Sequence, residues 1–333
     1  MINAWRGKTV FITGATGFLG GAMARELATQ GALVKALSRR PGRDKYLQGV
    51  PGIEMVSGDL SNVTRLAEMM RGCETVFHAA AQLGGTYAVQ QPANVMGTHN
   101  MAQAASYAGV KRFVHISSVA VYGPRIPDVV TEETPLNPGV NPYNITKAEA
   151  ETALKEVAKQ TDLAYTIIRP GMIYGPRNGM WTAGLFRLAA RRPLFFAGDG
   201  SGSAYTIYVD DVVDLALTAS QHPAAVNEAF NAVNDPAPSW RDFIGGYAKL
   251  AENNSWVAVP TLLLQPVVHL IEADLSLRGE PQGLPSLMND FFLPHKRISM
   301  DKGRRLLDWQ PRIVLTEGIA RCEPYLRKKG LLQ

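Results

Sequence analysis

Residues 13–21 read TGATGFLGG; the run KTVFI (8–12) leads into them and AMARELATQG (22–31) follows. A strand that passes into a helix needs one turn glycine, whereas here Gly14, Gly17 and Gly20 recur at three-residue spacing. Glycine in a helix costs about 1 kcal/mol relative to alanine, so two of them in the first turns call for a compensating reason. Close approach of backbone to a pyrophosphate at a helix N-terminus supplies one, because free N–H groups and the helix dipole both favour an anion there.

The chain around this loop alternates. β-rich runs at 8–14, 33–39, 53–59, 75–81, 112–118 and 164–170 are separated by helical patterns at 18–30, 62–71, 93–108 and 143–160. Alternation of this kind implies right-handed crossovers and a parallel sheet covered on both faces. The expected fold is therefore α/β, a Rossmann-type doubly wound parallel sheet. After Pro170 the rhythm breaks. Helices are expected near 181–191, 210–220, 239–252 and 262–278 without a strand between each pair, and NEAFNAV (227–233) reads as a strand returning to the main sheet. The expected division is a nucleotide-binding part over 1–175, with return elements near 205–235, and a smaller, mostly helical part over 176–333 that mainly binds substrate.

Composition narrows the function. The 333 residues are 46% hydrophobic and 19% charged, with a net charge of +5. No basic block carries the excess apart from RKKG (327–330), so nucleic acid is not an expected partner. Two cysteines far apart, Cys73 and Cys322, make no disulfide framework. A strand begins within ten residues of Met1, which leaves no room for a signal peptide. The most apolar late stretch, VPTLLLQPVVHLIEADLSL (259–277), is too polar to span a bilayer. The cytoplasm is the expected location, and no metal is expected.

TGATGFLG, SGDL (57–60), VFHAAA (76–81), NVMGT (94–98), HISSVAVYG (115–123), YNITK (143–147), RPGMIYGP (169–176) and YVDDV (208–212) occur in this order. On that ordered set the chain resembles the extended short-chain dehydrogenase/reductases, which include nucleotide-sugar epimerases and dehydratases, 3β-hydroxysteroid-type dehydrogenases and dihydroflavonol-type reductases. The resemblance covers nearly the whole chain and implies a nicotinamide cofactor and a Ser/Tyr/Lys site. Tyr143 and Lys147, four apart on one helix, share a face. A phenol has a pKa near 10, and a neighbouring cation favours its phenolate. Lys147 is expected to supply that charge and, by resemblance, to bond the nicotinamide ribose. Ser118 matches the family's serine and would hold the substrate oxygen. Ser117 beside it points to the opposite face of the strand.

For the cofactor, the resemblance implies Gly14, Thr16, Gly17, Phe18, Leu19 and Gly20 at the pyrophosphate, and Asp59 and Leu60 at the adenine. Asp59 is equally readable as a helix cap. Ala79, Ala80 and Ala81 lie beside the riboses, and Pro170 and Ile173 near the nicotinamide. Asn94 and Thr98 are expected to tie a helix to neighbouring backbone. Relatives specific for NAD end the second strand with an acid that binds the ribose hydroxyls. Here Ser38 stands at that position, followed by Arg39 and Arg40, and arginine grips a 2′-phosphate through a forked pair of bonds. NADP(H) is the expected cofactor in preference to NAD.

Sugar-nucleotide members carry an Asn within the RPGMIYGP stretch and an Arg-Asp pair before VDD. Met172, Ala204 and Tyr205 stand at those positions. A diphosphate without such partners is penalised on burial. Leu83, Met172, Trp181 and Phe186 are the expected substrate contacts, with Leu185 and the 262–278 segment nearby, and they suit an apolar small molecule. Arg177, Arg187, Arg191 and Arg192 are the cations that would otherwise rescue a phosphate. The expected activity is NADP(H)-dependent interconversion of a carbonyl and an alcohol; the alternatives are a nucleotide-sugar 4-epimerase or dehydratase with tightly held NAD, and a non-catalytic regulator. The resemblance further suggests a homodimer through 93–108 and 143–160.

Overall fold

The computed structural model describes residues 4–43, 45–124, 126–260, 263, 266, 270, 273 and 296–332. Its centre is a seven-stranded, all-parallel sheet of β1 (Thr9–Thr13), β2 (Leu33–Ser38), β3 (Ile53–Ser57), β4 (Thr75–His78), β5 (Arg112–Ile116), β7 (Tyr165–Pro170) and β11 (Glu228–Ala232). Their order across the sheet is β11-β7-β5-β4-β1-β2-β3, so the direction of winding reverses between β1 and β4. In an open α/β sheet that reversal opens a crevice beyond the strand C-termini, and the glycine loop leaves β1 at this place.

The two-residue period of the strands divides their side chains between two cores. Val10, Ile12, Phe77, Val114 and Ile168 join one cluster with Met23 and Leu27 of α1 (Phe18–Thr29) and Val212 and Leu215 of α7 (Val209–Gln221). Phe11, Val76, Phe113 and Ile167, the alternate positions, join the other. That second core is completed by Leu66 and Met70 of α2 (Val63–Met70), Met101 and Ala105 of α4 (Gly97–Tyr107), and Leu154 and Val157 of α5 (Pro142–Thr161). Both faces are thus covered, as the continuous apolar strands require.

NEAFNAV forms the returning strand, and β11 pairs in parallel with β7 from Glu228↔Thr166 to Ala232↔Pro170. The second half holds more strand than its sequence suggests. β8 (Met172–Tyr174) pairs with β10 (Thr206–Tyr208), and β9 (Leu194–Ala197) pairs with β12 (Trp256–Val259). These three- and four-residue ladders are too short for a two-residue period to show. The helix expected at 181–191 is a π-helical turn (Gly179–Gly184) followed by α6 (Leu185–Ala189), and α8 (Trp240–Leu250) occupies most of 239–252. The segment 262–278 lies outside the described residues except for four helical positions, of which Leu263 and Leu270 are exposed. A two-stranded pair of β6 (Val129–Val130) and β13 (Arg297–Ile298), then α9 (Asp301–Leu307) and α10 (Leu315–Lys328), complete the described chain. No described helix is long and apolar enough to cross a membrane.

Candidate active site

The glycine loop is shaped by backbone packed on backbone. Gly14 has φ +69°, and a Cβ there would stand 2.6 Å from the carbonyl carbon of Ala79. A Cβ on Gly20 would stand 2.3 Å from the Gly14 carbonyl oxygen. These two glycines therefore let the loop lie against β4 and let α1 lie against the loop. Gly17 differs: its φ is −82°, and a Cβ there would meet only the Gly14 oxygen, at 3.0 Å. Gly17 caps α1 without a side-chain cap and without an acid in the first turn, which leaves the helix N-terminus suited to a phosphate.

The loop opens onto a cavity of about 780 Å³. Of the residues expected around a cofactor, Gly14, Thr16, Gly17, Phe18, Leu19, Gly20, Ser38, Arg39, Asp59, Leu60, Ala79, Ala80, Ala81, Lys147, Pro170 and Ile173 all line it. Arg40 does not; its backbone N–H donates to Ser38 Oγ at 3.1 Å, which closes the turn. Asp59 does not cap α2. Asn62 does, accepting from Arg65 N at 2.9 Å, while Asp59 accepts from both the N–H and the hydroxyl of Ser61. Those two bonds hold the Asp59 carboxyl below its usual pKa, and Arg65 and Arg39 add to the effect.

Ser118, Tyr143 and Lys147 line the same cavity. Asn141 starts α5, the helix of Tyr143 and Lys147, its side chain accepting from the N–H groups of Tyr143 and Asn144. The Ser118 hydroxyl accepts from Ala120 N at 3.1 Å, donates to Pro170 O at 3.5 Å and lies within hydrogen-bond reach of the Tyr143 phenol. Ser117 is committed elsewhere, donating to Glu151 at 2.6 Å. Lys147 is buried and its Nζ donates to Ile116 O at 2.5 Å. Burial brings the Lys147 ammonium down from 10.5 to about 8, against the pull of Glu151.

The expected effect of Lys147 on Tyr143 is not what these surroundings give. Burial raises the Tyr143 phenol above 10, and the Ser118 hydroxyl opposes the rise. The lysine charge is turned onto the sheet, where it adds to burial in keeping His78 (about 3) and His115 uncharged. Asn94 and Thr98 tie elements together as expected. Asn94 bonds both backbone groups of Gln82 and the Thr146 hydroxyl, and Thr98 donates to Asn94 O.

At the substrate end the expectations divide. Leu83 and Trp181 line the cavity. Phe186 is 2% exposed in the core, with Leu185 beside it, and Met172 packs against that core from β8; neither lines the cavity. On α6, Phe186 belongs to the inward face, a distinction that an apolar run in sequence does not make. Gln82, Asn100 and Asn178 line the cavity although nothing in their local sequence marked them. Asn178 is spent on structure, bonding Ile173 O and Trp181 N, and Asn100 holds the Leu60 carbonyl. The arginines Arg177, Arg187, Arg191 and Arg192 stand outside the lining, and Arg177 lies over the Tyr46 ring at 3.4 Å.

Residues 10–232 match the model of the NAD dependent epimerase/dehydratase family. The chain belongs to that family. This epimerase/dehydratase-family protein is 30% identical over 337 residues to a UDP-glucose 4-epimerase of Mycolicibacterium smegmatis, across 96% of this chain and 98% of the relative. It is 29% identical to a 2-alkyl-3-oxoalkanoate reductase of Stenotrophomonas maltophilia, across 94% of this chain and 98% of that one. Among solved structures it is similar to an epimerase of Methanothermobacter thermautotrophicus, with TM-score 0.77 and 25% identity over 99% of this chain and 95% of that one. Its relatives thus include both epimerases and reductases, and the family is that of the extended short-chain dehydrogenase/reductases, enzymes that use a nicotinamide cofactor. The uncapped α1 N-terminus at Gly17 fits such a cofactor's pyrophosphate.

Proposed function

We propose that the protein is an NADP(H)-dependent reductase/dehydrogenase that interconverts a carbonyl and an alcohol on a largely apolar small molecule. The observation that carries this reading is the distribution of charge in the cavity. Among the described residues, the charged ones lining it are Arg39, Asp59 and Lys147, the first two beyond the ends of β2 and β3 and the third in α5. Among the described residues, none of the charged ones belongs to the loop of Leu83 or the turn of Trp181. Without a cation there, burying the diphosphate of a sugar nucleotide would carry a heavy desolvation cost. Ala204, at an expected diphosphate position, is fully buried, and the Tyr205 hydroxyl donates to Lys296 O.

A nicotinamide cofactor, when bound, supplies or accepts the hydride. The protein's own groups do the rest. Ser118 bonds the substrate oxygen, Tyr143 gives or takes its proton, and Lys147 bonds the ribose. The family is described as NAD dependent, so the NADP preference rests on Ser38 and Arg39, which line the cavity at the end of β2 where an acid would serve NAD. Division into a nucleotide-binding part that includes α7 and β11 and a substrate part, and dimerisation through α4 and α5, belong to the same reading.

The second reading, a nucleotide-sugar 4-epimerase, is favoured by the identity to the M. smegmatis enzyme. A screen of apolar ketones and aldehydes with NADPH and NADH, followed at 340 nm, separates the two when run beside calorimetry with UDP-sugars. Turnover of a carbonyl with NADPH is expected. Micromolar binding of a UDP-sugar, with NAD(H) retained through purification, would overturn the reductase reading.

A further inference from the structure

Tyr143, Lys147 and Glu151 stand at positions i, i+4 and i+8 of α5, in one stripe. Glu151 is 0% exposed, and each of its oxygens is engaged. Oε1 accepts from Ser117 Oγ at 2.6 Å and from Arg169 Nε at 2.9 Å. Oε2 accepts from Arg169 Nη2 at 2.7 Å and has Lys155 Nζ at 3.7 Å. The third edge of the same guanidinium donates to the Tyr122 hydroxyl at 2.8 Å and to Glu132 O at 3.1 Å. The Tyr122 hydroxyl then donates to Asn231 Oδ1 at 2.7 Å.

The members of this network neighbour the reacting groups in the chain. Ser117 precedes Ser118, and Arg169 precedes Pro170, whose carbonyl faces the Ser118 hydroxyl. Ile116, which precedes Ser117, accepts from Lys147. One carboxylate thus joins α5 to the ends of β5 and β7 at the place where serine and lysine must keep their separation. A buried ion pair is a poor source of net stability, since desolvation offsets its attraction, so its presence here has a better account in the geometry it fixes.

We propose that Glu151 is a positioning residue: through Ser117 and Arg169 it fixes Ser118 against Lys147, and its charge keeps Lys147 an ammonium in a buried site. The proposal rests on the reading that Lys147 bonds the cofactor ribose. The other ionisable groups facing Lys147 do not hold it protonated. His78 and His115 on β4 and β5 are kept neutral by burial, Tyr143 is a neutral phenol, and Arg169 stands behind Glu151. Burial sets the lysine at about 8 even with Glu151 in place. A neutral residue at 151 therefore moves its titration further down.

The test is the dissociation constant of NADPH, by fluorescence, from pH 6 to 10. In the parent, affinity is expected to fall as pH rises through about 8, where Lys147 loses its proton. Glu151→Gln is expected to move that midpoint down by about one unit, in keeping with the loss of an opposite charge one helical turn away. Because this variant strands a buried Arg169, the double change Glu151→Gln with Arg169→Met is measured too; removing both charges of such a pair is often tolerated. Its midpoint moves in the same direction. Ser117→Ala leaves every charge in place, so its midpoint stays with the parent. A folded double variant with the parental midpoint overturns the proposal, and so does a Ser117→Ala midpoint that moves as far as that of Glu151→Gln. A parent whose affinity is flat across the range removes Lys147 from the cofactor, and the proposal falls with that reading.

Discussion

The two ends of the cavity are built from different material. At the phosphate end the constraints are on the backbone: Gly14 and Gly20 are demanded by atoms 2.3–2.7 Å from where a Cβ would stand. At the substrate end, side chains from separated segments make the wall, Leu83 from the loop after β4 and Trp181 from the π-helical turn. Backbone constraints are written in a few adjacent residues. A wall of side chains depends on which face each element turns inward, and this is settled by packing over the whole fold. The difference teaches that one end is dictated by backbone contacts within a few residues and the other by side-chain packing across the fold.

The largest effect that would sharpen this contrast lies where the two ends meet. Tyr143→Phe is expected to lower kcat by about 10²- to 10⁴-fold, the usual weight of a general acid–base group, with cofactor affinity within about twofold of the parent. Near-normal turnover would remove the phenol from the proton path. Next, Phe186→Ala and Trp181→Ala test whether the substrate wall is as narrow as the structure makes it. Phe186→Ala should cost about 3–5 kcal/mol of stability, read by denaturant unfolding, because it leaves a cavity in the core. Trp181→Ala should raise KM for an apolar carbonyl while costing less stability. Equal KM effects in both would return Phe186 to the pocket.

At the phosphate end, Arg39→Ala should weaken NADPH by about 10- to 150-fold, the loss of one charge-assisted contact of about 1.5–3 kcal/mol, and leave NADH unchanged. Arg40→Ala should change either by less than about twofold, since the Arg40 side chain is outside the cavity lining. Equal losses for both arginines would mean that the phosphate is held by the turn as a whole. The smallest expected effect on folding is that of Gly17→Ala, whose Cβ meets a single oxygen at 3.0 Å. It should lower cofactor affinity with little change in thermal stability, whereas Gly20→Ala should destabilise by about 1–3 kcal/mol or more through overpacking.

The sequence made the main sheet legible because its central strands, such as β1 and β4, are buried on both faces and most crossovers carry a helix. It made the grouping of Ser118, Tyr143 and Lys147 at one cavity legible because Tyr143 and Lys147 are local to one helix. Choosing Ser118 over Ser117 needed only strand alternation and motif spacing, and the structure shows what occupies the other hydroxyl, the Glu151 carboxylate. The short ladders β8–β10 and β9–β12 were not legible, since three or four residues carry too little periodicity. Neither was Glu151: its partners Ser117 and Arg169 lie 34 and 18 residues away in the chain. Arg40 and Phe186 show the same limit from the other side. Their residue types suit the cavity, and their side-chain directions exclude them.

The late return of β11 has a consequence for biosynthesis. β7 ends at Pro170, yet the strand that covers its outer edge is Glu228–Ala232. The same region supplies Ala219 O to Arg112 and Ala225 O to Thr166. A nascent chain whose first six sheet strands have left the ribosome therefore carries an open, apolar edge at β7 until residue 232 emerges. Open edges of this kind recruit other strands. The intervening segment, which holds Trp181, is thus threaded through the interval in which the nascent sheet is most exposed to mispairing, so its length sets how long the growing chain stays vulnerable.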